Sequence, residues 1–214
     1  MSRETSLLDS PSAPNIPGPP PAAAAPPLPP RARILKAARE LFYRHGIHSV
    51  GVDAIAEAAE TNKMTLYRHF KSKDELVCEC LREVGSGIDR AWAEIERLHA
   101  GDPKGHLLAW LRFMGEIKLG KNTRGCAFVN AAVELSDGGH PARRVIEERK
   151  SLYRAKCLDL CRKAGLRDPE LLADELFLLS EGAQVSLQCV GPEGPAARLV
   201  EMFERLVAAH APRD

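Results

Sequence analysis

From Arg31 onward the apolar residues of this chain recur three and four apart, and nowhere do they alternate long enough to make a strand. That periodicity predicts an all-α fold. Ile34, Leu35, Ala38, Leu41 and Phe42 form one stripe, ended by Gly46. Short helices are predicted over Val52 to Ala59 and Lys63 to His69. A fourth opens at Ser72-Lys73-Asp74-Glu75, a serine N-cap with glutamate three residues on, and runs to about His99. Further helices are predicted over 103–120, 124–136, 141–165, 169–190 and 195–210. Gly101-Asp102-Pro103, Gly120, Gly138-Gly139-His140-Pro141, Asp168-Pro169 and Gly191-Pro192 separate them.

The first 30 residues are different. They hold ten of the sixteen prolines and almost no large apolar side chains. Proline fixes φ and removes a backbone donor, so residues 1–29 read as a disordered, partly polyproline II arm. The longest uncharged stretch is this proline-rich one, which excludes a bilayer span. No basic segment precedes an apolar one as a secretory signal requires. Six cysteines in 214 residues are too few for a disulfide framework. These features predict a cytoplasmic protein with reduced thiols and no membrane partner.

Charge is close to balanced overall, with 30 Lys+Arg against 29 Asp+Glu, but it is unevenly placed. Residues 31–73 carry nine bases and four acids, while the remainder is mildly acidic. The pattern is that of a head facing a polyanion, set on a body that does not touch it. Three regions follow: the arm 1–29, a head over 30–76 and a helical body over 77–214.

Within the head, residues 52–71 fit a helix-turn-helix. Two short helices cross steeply there, and the crossing admits only a small side chain, which Ala56 supplies. Ile55, Ala59, Leu66 and Phe70 would face inward. Lys63, Thr65, Tyr67 and Arg68 would face outward, where bases and short polar side chains reach base edges and phosphates. Solvated positions on an ordinary three-helix bundle would look similar.

The runs Ile34-Leu35-Lys36-Ala37-Ala38-Arg39-Glu40-Leu41-Phe42, Val52-Asp53-Ala54-Ile55-Ala56-Glu57-Ala58 and Lys63-Met64-Thr65-Leu66-Tyr67-Arg68-His69-Phe70-Lys71-Ser72-Lys73 closely resemble the DNA-binding head of the TetR repressor family. Arg124 to Glu134, with His140-Pro141, is similar to one subgroup's sixth helix and the loop after it. The resemblance implies a homodimer on a palindromic operator in double-stranded DNA, and an unknown small-molecule effector bound in the body. It places Lys63, Thr65 and Tyr67 on the recognition helix. Lys73 would hold a phosphate with the N-terminal amides of the fourth helix, and His69 would be structural or phosphate-side. Two departures stand out. The turn reads Glu60-Thr61-Asn62 where the family has glycine, an apolar residue and a small polar one, and Gly51 replaces a capping Ser or Thr.

In the body, resemblance assigns dimerisation to the last two helices, through Leu176, Leu179, Ala183 and Leu187 on one and Leu199, Met202, Phe203 and Leu206 on the other. An intramolecular core is the alternative. A ligand pocket would lie among helices four to eight. Trp92, Trp110, Phe113, Met114, Ile117, Phe128 and Tyr153 would line it, with Asn130, Glu134 and Gln184 as orienting polar groups. Each has a packing role as its alternative. Cys157 and Cys161 share a helix face, but no Cys-x-x-Cys is present, so neither a metal nor a cofactor is predicted. Nor is there a phosphate-cradling loop, a Gly-x-Ser-x-Gly or a His-Glu-x-x-His, and no enzymatic reading survives. Two readings remain: a ligand-responsive repressor, or a DNA-binding architectural or partner-regulated protein without a small-molecule ligand.

Overall fold

A computed structural model describes residues 28–119 and 124–212, with side chains throughout except at 117–119. Residues 1–27 of the arm therefore lie outside the described residues, as does the side chain of Ile117. Among the described residues the chain is all-α. In order it forms α1 (Pro30–His45), α2 (Val52–Ala58), α3 (Lys63–His69), α4 (Lys73–Leu98), α5 (Pro103–Leu119), α6 (Ala127–Glu134), α7 (Pro141–Lys163), α8 (Pro169–Val190), a 3-10 turn (Pro195–Arg198) and α9 (Leu199–Ala209).

Local chemistry sets these boundaries. Proline opens α1, α7 and α8, where a missing N–H costs nothing. Asn62 Oδ1 accepts from the Thr65 N–H at 2.8 Å to start α3, and Ser72 Oγ accepts from the Glu75 N–H at 3.0 Å to start α4. Glu75 reaches back one residue further than a capping box requires, accepting from the Lys71 N–H at 2.6 Å. His140 caps α7 through Nδ1, which accepts from the Ala142 N–H at 3.1 Å. Its proton is thereby left on Nε2, 3.4 Å from Asp74 Oδ1 at the start of α4.

Two elements differ from expectation. The sixth helix begins at Ala127 rather than 124, because Gly125 takes a φ of +80° and interrupts the chain. The last helix is preceded by a separate 3-10 turn.

The buried side chains form two clusters. One joins α1, α2, α3 and the first half of α4 to α6 and the start of α7, including Ile34, Leu66, Leu81, Phe128, Ala131 and Val145. The other joins the second half of α4 to α5, α8, α9 and the end of α7, including Trp92, Trp110, Leu160, Leu176 and Phe203. Gly85 marks the α4–α7 crossing. A Cβ there would lie 2.4 Å from the Arg149 guanidinium, which pairs with Asp89 at 2.7 Å.

The second cluster takes up half of the residues expected at the dimer surface. Leu176, Ala183, Leu199 and Phe203 are buried in the protomer's own core. Leu179, Leu187, Met202 and Leu206 are half-buried beside it. The apolar residues that α8 leaves uncovered are Leu171, Leu178 and Val185, seven apart, and Val190 at its last position, with Leu178 68% exposed.

Candidate functional site

The helix-turn-helix assembles around four inward side chains. Ile55, Leu66, Phe70 and Ala59 are buried, and Ala56 sits in the crossing with 4% exposure. α2 ends in a Schellman closure: the Thr61 N–H reaches the Ala56 carbonyl and the Glu60 N–H the Glu57 carbonyl, both at 2.9 Å. This closure puts its C′ residue in the left-handed region, and Glu60 has φ 52°.

On the outer face of α3, Lys63, Met64, Tyr67 and Arg68 are exposed, and Thr65 and His69 are half-buried. The His69 Nε2 is buried with no partner among the described residues. Lys63 is engaged with Asp53 of α2 at 3.2 Å, so part of its charge is already answered. Lys73 lies 6.0 Å above the Phe42 ring at the first turn of α4, a stacking that keeps its stem against α1. Arg31 pairs with Glu79 at 2.8 Å and lies 5.0 Å from the Phe70 ring. Sequence reasoning passed over Met64, which is 83% exposed. Its signal was position: an apolar residue between Lys63 and Thr65 on the face away from the core.

A cavity of about 390 Å³ opens where the head meets the body. Its walls are Phe42, Tyr43 and Ile47 from α1 and the turn after it, Val77, Leu81 and Val84 from α4, and Phe128 and Ala131 from α6. Met114 and Gln184 close it from α5 and α8. Of the ten residues expected to line a pocket, Met114, Phe128, Asn130, Glu134 and Gln184 do so.

The remaining described ones do not line this cavity. Trp92, Trp110, Phe113 and Tyr153 pack on one another in the second cluster. Trp92 meets Trp110 edge-on at 4.8 Å, and Trp110 stands 5.5 Å from Phe113 and 6.1 Å from Tyr153. Aromatic pairs at such separations gain from edge-to-face or offset contact, and Trp92 also lines a separate hollow with His106, Lys156 and Leu160. Burial pushes the Tyr153 hydroxyl well above its ordinary pKa, next to Ser180 and Cys157.

The cavity's polar groups are mostly engaged. The Glu134 carboxylate accepts from the backbone N–H groups of Ile47 and His48, and the His48 ring meets the Glu134 carbonyl at 2.9 Å. Gly46 makes this possible: at φ +87° it turns the chain, and a Cβ there would lie 2.9 Å from the carboxylate. Tyr43 accepts from the Arg124 N–H at 2.7 Å and donates to the Gly125 carbonyl at 3.1 Å. The Asn130 and Gln188 amides both donate to the Arg124 carbonyl at 2.8 Å. Gln184 is the exception. It is 3% exposed, and its Oε1 has no partner among the described residues. The thiol of Cys80, beside the cavity, is pushed up to about 12 by burial and stays protonated at neutral pH.

A three-helix unit carrying bases on an outward helix, joined to an all-helical body, defines a helix-turn-helix DNA-binding protein. The sequence profile described as "Bacterial regulatory proteins, tetR family" matches residues 34–80. A TetR-family transcriptional regulator from Streptomyces coelicolor superposes with a TM-score of 0.74 at 30% identity, over 84% of this chain and 93% of that one. The HTH-type transcriptional repressor DhaR of Mycobacterium sp. (strain GP1) is 27% identical over 84% of this chain and 93% of its own. The HTH-type transcriptional regulator YjdC of Escherichia coli (strain K12) is 25% identical over 71% of this chain and 80% of its own. The chain belongs to the TetR family of transcriptional regulators. It is a transcription factor and not an enzyme.

Proposed function

We propose that this regulator is a homodimeric repressor that binds a palindromic operator with the outer faces of two α3 helices and is released by a small-molecule effector. One observation carries the reading: α3 turns bases and a tyrosine outward over a core of Ile55, Leu66 and Phe70. Lys63, Thr65 and Tyr67 are its base and backbone contacts, Arg68 and His69 lie toward phosphates, and Lys73 joins the first turn of α4 in holding one. Met64 adds an apolar contact suited to a thymine methyl. The name of DhaR supports the repressor sense. The second protomer is best placed on α8, where Leu171, Leu178 and Val185 make an uncovered apolar line. The half-buried Leu179, Leu187, Met202 and Leu206 flank it. The cavity beside α1 favours effector control over a purely architectural role.

Selection of bound duplexes from a random pool tests the reading. A recovered inverted repeat supports it, and recovery of no sequence preference overturns it. On that operator, Tyr67→Ala should weaken specific binding by about 1–3 kcal/mol. Lys73→Ala should weaken all duplexes alike and reduce the salt slope by about one counterion.

A further inference from the structure

The cavity at the seam allows a narrower statement, which rests on the regulator reading above. We infer that it is the effector site, and that its occupant is an uncharged, largely apolar molecule carrying one hydrogen-bond donor, seated with that donor on Oε1 of Gln184. Its volume, about 390 Å³, lies in the lower part of the range of small-molecule sites, roughly 300–1,000 Å³. Its walls are apolar side chains, Phe42, Ile47, Leu81, Val84, Met114 and Phe128 among them.

Inside such walls a charge needs a partner, because desolvation is otherwise uncompensated. Among the described residues, those with charge or hydrogen-bonding capacity here are, Gln184 apart, already engaged or open to water. Glu134 is taken up by the backbone of Ile47 and His48, and the Asn130 amide by the Arg124 carbonyl. Arg39 and Glu40 border the cavity but are exposed to water. What the lining does offer is a buried acceptor with no partner among the described residues, the Gln184 side-chain oxygen. Buried acceptors in folded proteins almost always have partners, so an orphan on a side chain that lines a cavity marks where a ligand donor belongs.

The position of the cavity gives the site its consequence. Phe42, Tyr43 and Ile47 belong to the head, so the occupant touches the DNA-binding unit itself. An occupant that parts α1 from α6 also draws Ile47 and His48 off Glu134, which sets the head's tilt. Binding here and binding to DNA must then oppose each other by one shared factor.

The test uses the full chain with 2-naphthol, which has a hydroxyl donor, and 2-methoxynaphthalene, which lacks it. Wild type should bind 2-naphthol about three- to tenfold tighter than the ether, as one hydrogen bond supplies. Gln184→Met keeps the length, removes the acceptor and should abolish that preference. Val84→Trp should fill the cavity and abolish both interactions, with its helicity checked by circular dichroism. Saturating 2-naphthol should lower operator affinity, and operator-bound protein should bind 2-naphthol more weakly by the same factor. No binding of either probe, equal binding of both by wild type, a preference kept in Gln184→Met, or operator affinity unmoved by bound probe would each overturn the inference. Failure of the unliganded protein to select any operator strikes the regulator reading instead.

Discussion

Glu60 and Gly165 occupy the same place in the same helix-ending motif. Each N–H bonds back three residues, and the next N–H reaches back five. Glycine at φ 65° ends α7 without strain, whereas glutamate at φ 52° ends α2 at a cost on the order of 1 kcal/mol. The sequence pointed to this position only through the family resemblance, which has a glycine where this chain has Glu60. Glu60→Gly should change the melting temperature little, since glycine's unfolded-state entropy returns about 0.5–1 kcal/mol of the gain. Operator affinity decides between charge and strain as the reason to replace it. Tighter binding by Glu60→Gly and Glu60→Gln alike, strongest at low salt, is the outcome expected from a carboxylate near phosphates. Tightening by glycine alone would locate the defect in the backbone. His106 gives a second residue-scale prediction. It is buried against Trp92 at 4.6 Å, and burial holds its pKa below the ordinary 6.5. The unfolded chain then takes up the proton first as pH falls, so stability present above about pH 6.5 is lost toward lower pH. Urea titrations at pH 7 and pH 5 should show His106→Gln with a smaller loss than wild type. An equal loss would remove His106 as the cause.

Among the elements, periodicity specified which face of each helix is covered but not what covers it. Leu176, Ala183, Leu199 and Phe203 carry the spacing of a buried stripe, and they are buried, by one another within a protomer. A pattern in one sequence cannot separate that from burial by a second copy, because both demand the same apolar side chains at the same intervals. The same ambiguity touches Trp92, Trp110, Phe113 and Tyr153, which pack in or against the second cluster and not on the wall of the cavity at the seam. Leu178→Glu with Val185→Glu should therefore give a folded monomer in sedimentation, with helicity retained. Leu199→Glu with Phe203→Glu should instead unfold the chain, since two charges would be buried without partners, at several kcal/mol. Monomers with full helicity from the second pair would return the interface to α9. The ends of the elements were more legible than their partners. Asn62, Ser72, Pro141, Pro169 and Gly191 act over one or two turns, where no distant contact can overrule them.

For the whole molecule, the proposed dimer would fix the distance between two heads, and a rigid pair of recognition helices reads major grooves one turn apart or a multiple of it. Once an operator is selected, inserting about five base pairs at its centre should abolish binding by turning one half-site to the far side of the duplex. Inserting about ten should restore part of it. Unchanged binding after the half-turn insertion would mean that the heads are not held in register. Almost the entire architecture could be read from the helical pattern, but the seam could not. The cavity depends on α1 lying against α6 across more than eighty residues of sequence, and on Glu134 meeting a backbone with no side-chain signature.

That seam also bears on how such a chain is remade, by recombination or by hand. Its first hydrophobic cluster reaches from Ile34 in α1 to Ile146 in α7, passing over α5, and the carboxylate at 134 ends the turn after α1. A crossover at the first residues of α4 would hand the head a foreign α6, with no acid for the amides at 47 and 48 and a mismatched wall behind Phe42 and Phe128. The exchangeable piece of this protein is therefore larger than its operator-reading motif. Grafts that carry α6 along with the first four helices should keep both fold and control, while those cut at the motif's edge inherit a head with nothing to stand on.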